Sequence, residues 1–420
     1  MHSTGQAPDA GTVFSSPHLL RRANLVAVLQ YAWDVEAFTA SDVMAATGLT
    51  RSTALGLADD LVDLGWVREL DDSRAAGERV KGRPARRYAF DPQAGYVVGI
   101  DAGLHRVTAC VADLRGHILV RSERTLEPAD EDPSLRIDRV RGAVAEAMDQ
   151  VGAGASEVLV TVVGVPAPSD EHGRSPAGSG GYWGRMNPGF VDVLAIDHSV
   201  VVVDNDANLA AIAEGSIGAG VGVSSFVALL SGERFGAGLV IDGSLLRGQH
   251  GGAGEMHLLD LVDGVGSADG LGALARAWAR GAVEAGEVPQ GSALLRCAPD
   301  APELVDVLEA ARRGEPAAVV IVERLAGRLA RVGAVLAGLL DVQRIILCGA
   351  MASAASSLIT RATELLPPDS HLPVPQLVAS TLGADGVTVG AIYKGLSIVR
   401  TSPLRFEQAL GRVRAAQVPM

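Results

Sequence analysis

The feature that most constrains this chain is a series of short, valine-rich runs, each closed by glycine or aspartate: GYVVGIDAG (95–103), EVLVTVVGVP (157–166), SVVVVDNDAN (199–208), SSFVALLSG (224–232), AGLVID (237–242) and QRIILCG (343–349). Short β-branched runs bounded by turn formers read as strands. Between them lie helical stretches such as DRVRGAVAEAMDQVG (138–152) and NLAAIAEGSIG (208–218). Strands that alternate with helices specify an α/β architecture. The segment from Gly95 onward, about 300 residues, exceeds what one sheet and its helices ordinarily cover, so two lobes with a cleft between them are expected.

The N-terminal segment has a different texture. Residues 16–33, SPHLLRRANLVAVLQYAW, repeat apolar residues at helical spacing through Leu25, Val28, Leu29 and Ala32. A second short helix in FTASDVMAATG (38–48) has Thr39 or Ser41 as N-cap and ends at Gly48, and Thr50 caps a third, RSTALGLADDLVDLG (51–65), with a buried stripe of Ala54, Leu57, Leu61 and Leu64. Two short helices joined by a glycine turn read as a helix-turn-helix, whose second helix offers Arg51, Ser52 and Thr53 to the major groove. For Ser52 and Thr53 the plainer role is helix capping. The segments 66–70 and 85–90 read as strands around a polar loop in which Lys81, Gly82, Arg83 and Pro84 suit phosphates or a narrow minor groove. This is the pattern of a winged helix.

A net charge of -13 argues against nucleic acid unless the positive charge is local. Arg74, Arg79, Lys81, Arg83, Arg86 and Arg87 face only Glu78 over that stretch, so the basic surplus sits at one end. Cys110, Cys297 and Cys348 are too scattered for a disulfide framework or a thiolate metal cluster. The longest apolar stretch, 317–341, is broken by Glu323, Arg324, Arg328 and Arg331, which helical spacing gathers on one side, so it reads as an amphipathic docked helix. Residues 1–16 read as a disordered tail without a secretory signal, and a cytoplasmic location without membrane partners is expected.

The stretches TGLTRSTALGLADDLVDLGWV, GRPARRYAFDPQAGYVVGIDAG, VVGVPAP, VVVDNDANLAAIAEG, GAGLVIDGSLLRGQHGGAGEM and LGADGVTVGA together resemble the ROK family (repressors, open reading frames and sugar kinases), in its regulator branch. The resemblance implies a two-lobed, actin-like (ribonuclease H-like) sugar-kinase fold behind a winged helix-turn-helix, assembled as a homodimer or homotetramer. The implied division is a winged helix-turn-helix at 17–91, a first lobe at 92–210, a second lobe with a return to the first at 211–400, and an extension at 401–420.

The same resemblance shows what this chain has lost. Where family kinases carry D-x-G-G-T, it has Asp101-Ala102-Gly103-Leu104-His105; where they carry G-T-G, it has Gly232-Glu233-Arg234, with Glu233 set to repel phosphates; and Leu347-Cys348-Gly349-Ala350 replaces consecutive glycines. Kinase activity is therefore not expected. The sugar side is better kept: Asp206 matches the catalytic base and survives as a vestige, while Asn187, Asn205 and Glu255 match sugar-contacting positions. Turn or helix capping is the plainer role for Asn205, Asp206 and Glu255. The family's zinc segment is replaced by VDGVGSADGLGAL, His257 falls one place early and Gly272 stands at a sugar-binding Glu position, so no metal and no cofactor are expected.

The resulting expectation is a repressor of carbohydrate genes with a double-stranded DNA operator and a sugar or phosphosugar effector. A sugar kinase with an accessory domain, and a DNA-binding regulator without a small ligand, are the alternatives.

Overall fold

A computed structural model of the protein describes residues 17–70, 85–126, 132–176, 181–195, 200–296, 302–367, 374–407 and 410. The chain divides into two units, one reaching to Ala94 and taking in the chain again from Arg400, the other spanning Gly95–Val399. The expected tail at 1–16, the loop residues Lys81 to Pro84, Cys297 and the end of the extension lie outside the described residues.

In the first unit, α1 (Pro17–Asp34) is followed by β1 (Phe38–Thr39), α2 (Ala40–Thr47), α3 (Arg51–Leu64), β2 (Val67–Leu70) and β3 (Arg87–Phe90). Local chemistry sets the helix ends. Thr39 and Asp42 form a reciprocal capping box at the start of α2, and Gly48 stops that helix at φ 72°. Thr50 caps α3 by accepting the Thr53 N–H, and Gly65 ends it at φ 87°. The strands form an antiparallel sheet of order β1-β3-β2. Trp33 stacks on Phe90 at 4.4 Å and Phe38 on Tyr88 at 5.6 Å, fastening α1 and β1 to this sheet. The returning chain is tied in by Arg400, which donates to Asp34 at 2.5 Å and lies 5.7 Å from the Trp33 ring.

The second unit contains two five-stranded sheets. The first is built from β4 (Tyr96–Ala102), β5 (Arg106–Ala112), β6 (Ile118–Thr125), β7 (Val158–Val165) and β8 (Val200–Asn205), with α4 (Pro133–Val151) between β6 and β7, and α5 (Tyr182–Met186) and α6 (Phe190–Leu194) between β7 and β8. Its order is β6-β5-β4-β7-β8, with the first three strands antiparallel and the last two parallel. Every residue of β7 is buried, as a central strand covered on both faces requires.

After α7 (Asp206–Ile217), the second sheet repeats the plan with β9 (Phe226–Ser231), β10 (Phe235–Ile241), β11 (Ser244–Leu246), β12 (Arg344–Cys348) and β13 (Gln376–Ala379), in the order β11-β10-β9-β12-β13. Helices α8 (Leu271–Glu284), α9 (Ala293–Arg296), α10 (Leu304–Arg312), α11 (Pro316–Leu340) and α12 (Ser356–Glu364) accompany it, and α13 (Gly386–Thr401) follows. Helix α13 packs on the first sheet, where a Cβ on Gly99 would lie 2.7 Å from Thr388 O and one on Gly395 would lie 2.5 Å from Val97. It also crosses α7 so closely that a Cβ on Gly390 would come within 1.8 Å of Leu209 O.

Two expectations about charge are corrected here. Arg86 is not part of a free basic surplus: its Nε and NH2 donate to Glu69 at 2.7 and 2.6 Å, and NH1 lies 2.8 Å from Asp59, which holds the Glu69 carboxyl below its ordinary pKa. Arg328 does not share a solvent face of α11 with its neighbours. It is 2% exposed and donates to the carbonyls of Val265, Ser267 and Asp269, a cage that only the tertiary fold supplies. Among the described residues no helix is long and apolar enough to cross a membrane.

Candidate functional site

The ends of β4 and β8 and the β9–β10 turn carry the groups that gather in the second unit. Asp101 is the penultimate residue of β4 and Asp206 opens α7. Strand β10 reaches Asp206 because two of its residues lack side chains: a Cβ on Gly236 would lie 3.2 Å from Ala207 Cβ and 4.0 Å from Asp206 Oδ1, and one on Gly238 would lie 2.2 Å from Ala207 O. These glycines are needed for packing.

Carboxyls crowd here. Burial, then the charges of Asp101 and Glu255, push Asp206 up to about 8. Burial pushes Asp101 up to about 6 against the opposing charges of Arg106, Arg136 and Arg121. Partial desolvation raises Glu255, and nearby Arg234 and His257 lower it. Tyr182 is raised mainly by burial and also by the charge of Asp206. The shift favours the protonated carboxyl, in which form Asp206 can donate a hydrogen bond.

Other expected effector residues have different surroundings. Asn205 is the cap of α7, its Oδ1 accepting from Ala207 N at 3.0 Å and Asn208 N at 3.2 Å, while Nδ2 donates to Ala167 O at 3.3 Å. Asn187 Nδ2 donates to Gly173 O and Ser175 Oγ, both at 2.9 Å, and its Oδ1 is buried without a partner among the described residues. Its hydrogen bonds thus run to the loop after β7 and not to the carboxyl cluster.

Sequence reasoning missed three elements of this region. Arg234 is exposed, its NH2 lies 3.3 Å from His257 Nδ1, and its charge lowers Glu255 and Tyr182 against the burial that raises them. Arg136, 2% exposed, donates to Met186 O and Ala102 O, clamping the first loop from α4. Asp204, fully buried below the cluster, accepts from Arg247 at 2.7 Å and from Lys394 on α13; these two cations hold its carboxyl below the ordinary range despite burial. A lone cation in a sequence gives no signal of such partners.

Side chains of the two loops that match phosphate loops approach each other. His105 Nε2 is 3.7 Å from Glu233 Oε1, and Glu233 also pairs with Arg276, which contacts Glu303 at 3.2 Å. The expected repulsive role of Glu233 is thereby corrected: Arg276 compensates its charge. The segment replacing the zinc-binding run is organised by Arg328 through its three carbonyl contacts and joins the β9–β10 turn through Phe235 N to Ala268 O and Gly270 N to Glu233 O, both at 2.8 Å.

At the other end of the chain, Arg51 and Ser52 are exposed at the start of α3, and Thr53 is half-buried. Thr50 Oγ1 lies 3.2 Å from Ser52 Oγ and 2.9 Å from Thr53 Oγ1, so both hydroxyls participate in the capping cluster.

Two sheets of matching order, linked by α7 and rejoined by α13, define a two-lobed α/β protein of the actin-like, sugar-kinase type. The chain matches the ROK family over residues 97–394, well over half its length, and belongs to that family. The xylose repressor of Caldicellulosiruptor bescii is 26% identical over 263 residues, covering 61% of this chain and 63% of the repressor. The xylose repressor of Bacillus subtilis is 25% identical over 211 residues, covering 50% of this chain and 53% of its own. This chain therefore matches only about half to three-fifths of these repressors' lengths. The glucokinase of Streptomyces coelicolor is 28% identical over 314 residues, 71% of this chain and 96% of its own. Among solved structures, a ROK family transcriptional regulator, homologue of the E. coli MLC protein, has the same fold with a TM-score of 0.68 at 19% identity, covering 93% of this chain and 99% of its own. A ROK family glucokinase from Streptomyces griseus, solved with glucose and AMPPNP, gives 0.61 at 27% identity over 72% of this chain and all of its own.

Proposed function

We propose that this protein is a DNA-binding transcriptional repressor of carbohydrate-related genes, working in the cytoplasm as a homodimer, with the kinase-like unit as sensor and dimerisation platform. The observation that carries the reading is the first unit's order of α1, β1, α2, α3, β2 and β3, with Arg51 exposed at the N-terminus of α3. In a winged helix-turn-helix, α3 enters the major groove and presents Arg51, Ser52 and Thr53, while Lys81, Gly82, Arg83 and Pro84, between β2 and β3, contact phosphates or the minor groove. The similarity to two xylose repressors supports a sugar-responsive regulator.

In the second unit, Asp206 and Glu255 with Asn187 and Asn205 form the effector site. A sugar there shifts the equilibrium between lobe arrangements and thereby operator affinity, which requires different affinity for the two arrangements. The contacts of Glu233 with His105 and Arg276 put side chains at the loops that a nucleotide's phosphates would approach, which supports a reading without phosphoryl transfer.

The glucokinase similarity favours the second reading, a sugar kinase with an N-terminal accessory domain. Sugar-dependent ATP turnover by the full chain separates the two. None is expected; turnover that disappears in Asp206→Asn would establish the kinase.

A further inference from the structure

We infer that Leu55 and Gly56 form a base-reading patch on α3. Leu55 packs on the methyl group of a thymine, and Gly56, lacking a side chain, lets the helix backbone come into contact with the DNA. The inference rests on the reading of the first unit as a DNA-binding module, and it adds two residues that set the operator's sequence and the chemistry by which they do so.

Helical spacing divides the surface of α3. Ala54, Leu57, Ala58 and Leu61 form its buried stripe. Residues three and four apart share a face, so the stripe opposite is Ser52, Gly56, Asp59 and Asp63, with Leu55 beside it one turn beyond Arg51. Arg51 and Ser52 are exposed, and Leu55 and Gly56 are partly so.

The two halves of this outward face differ in charge. Asp59 lies 2.8 Å from Arg86 and Asp60 2.5 Å from Arg21, and Asp63 follows. These carboxylates would meet phosphates with like charge, so a duplex is admitted along the first half, residues 51–56. A recognition helix meets base edges with that same half.

Gly56 answers no need of the protein's own packing. Glycine inside a helix is unfavourable relative to alanine, and in α13 close neighbours account for it: a Cβ on Gly390 would lie 1.8 Å from Leu209 O and one on Gly395 2.5 Å from Val97. At Gly56 a Cβ would meet nothing within 4 Å among the described residues. A bare backbone there serves a surface that approaches from outside.

Leu55 offers that surface an apolar contact. The apolar group that base pairs present in the major groove is the thymine methyl, while Arg51 suits guanine O6 and N7. At about 1.5 Å per residue Leu55 stands roughly 6 Å along the helix from Arg51, close to two base-pair steps of about 3.4 Å. The half-site therefore carries a thymine about two base pairs from a guanine.

The test measures binding of the full-length protein to its selected operator, with each thymine replaced in turn by uracil, which lacks only the methyl. At one thymine per half-site the wild type should lose about fourfold, the contribution of one buried methyl, and Leu55→Ala should be indifferent to that replacement. Gly56→Ala should raise Tm by a few degrees, because alanine favours the helix and has room, yet weaken operator binding about tenfold or more. Gly281→Ala on α8, where a Cβ also has open space, should raise Tm and leave operator affinity unchanged. A structural defect does not raise stability while lowering affinity. Full affinity in Gly56→Ala, no thymine sensitive to replacement, or a uracil effect that persists in Leu55→Ala would refute the inference and leave the DNA-binding reading standing. Absence of any sequence-specific site would overturn that reading and this inference together.

Discussion

Replacing Asp206 with Asn is expected to stabilise the protein, and by an amount that grows with pH. The side chain is isosteric, and the new amide oxygen keeps the acceptor that Asp206 Oδ1 offers to Ala207 N at 2.7 Å. Burial and neighbouring carboxyls raise the Asp206 carboxyl from the ordinary 3.8 to about 8. Below about pH 4 the folded and unfolded chains both hold the proton, and the group contributes nothing. Between about pH 4 and pH 8 the unfolded chain has lost that proton and the folded chain keeps it, so stability falls by up to about 1.4 kcal/mol per pH unit. Above about pH 8 both are ionised and the penalty is constant. Full expression would reach about 6 kcal/mol; relaxation and entry of water reduce this to about 2–4 kcal/mol. For domains of roughly 150–250 residues each kcal/mol shifts Tm by about 2–4 °C, so a rise of several degrees is expected at pH 8 and almost none near pH 4. Thermal unfolding of both proteins across this range is the assay. A difference independent of pH, or a variant less stable at pH 8, would refute the claim that this carboxyl is held against its preferred ionisation.

Three further perturbations address the supports of the site. Lys394→Met leaves buried Asp204 with Arg247 as its remaining paired cation and should cost about 2–4 kcal/mol at pH 7. Because the Asp204 carboxyl is lowered in the fold, its contribution is present above about pH 4 and lost as pH falls through the lowered value, so unfolding curves of wild type and variant should converge in acid. Arg328→Met removes the donors to three carbonyls and should cost about 2–4 kcal/mol, with amide hydrogen exchange accelerating first around residues 263–272. Gly390→Ala places a Cβ 1.8 Å from Leu209 O and should cost about 3 kcal/mol or more in a chemical unfolding series, whereas Gly252→Ala, which has open space, should change little.

What was legible in the sequence was local. Thr39, Gly48 and Thr50 bound their helices through their own neighbours, so α2 and α3 could be drawn from capping chemistry alone. The valines of β7 read as strand because any environment that buries them suits them. Strands β5, β6, β11 and β13 were not foreseen; β6 alternates charged residues, and its pairing with β5 supplies the order its composition does not. Strand β1 is two residues long and exists through its pairing with β3.

The same limit governs the site. Asp206 stands out in the sequence because the motif around it survives, whereas Arg234 reads there only as a residue in place of a glycine. Arg86 was counted in a basic surplus and Arg328 on the charged side of an amphipathic helix; ion pairing in one case and a carbonyl cage in the other give them partners that the sequence does not display. Asn205 carries both readings, since capping α7 is a local fact and ligand contact a tertiary one.

The central claim is specific DNA binding, and selection of binding sites by the purified full-length protein from fragmented DNA of its source genome, at two salt concentrations, tests it most directly. The account predicts a recurring site of two-fold symmetry, retained at the higher salt, with affinity weakened in Arg51→Ala and in Arg83→Ala. Binding that is blind to sequence, erased by salt and unchanged in both variants would contradict it.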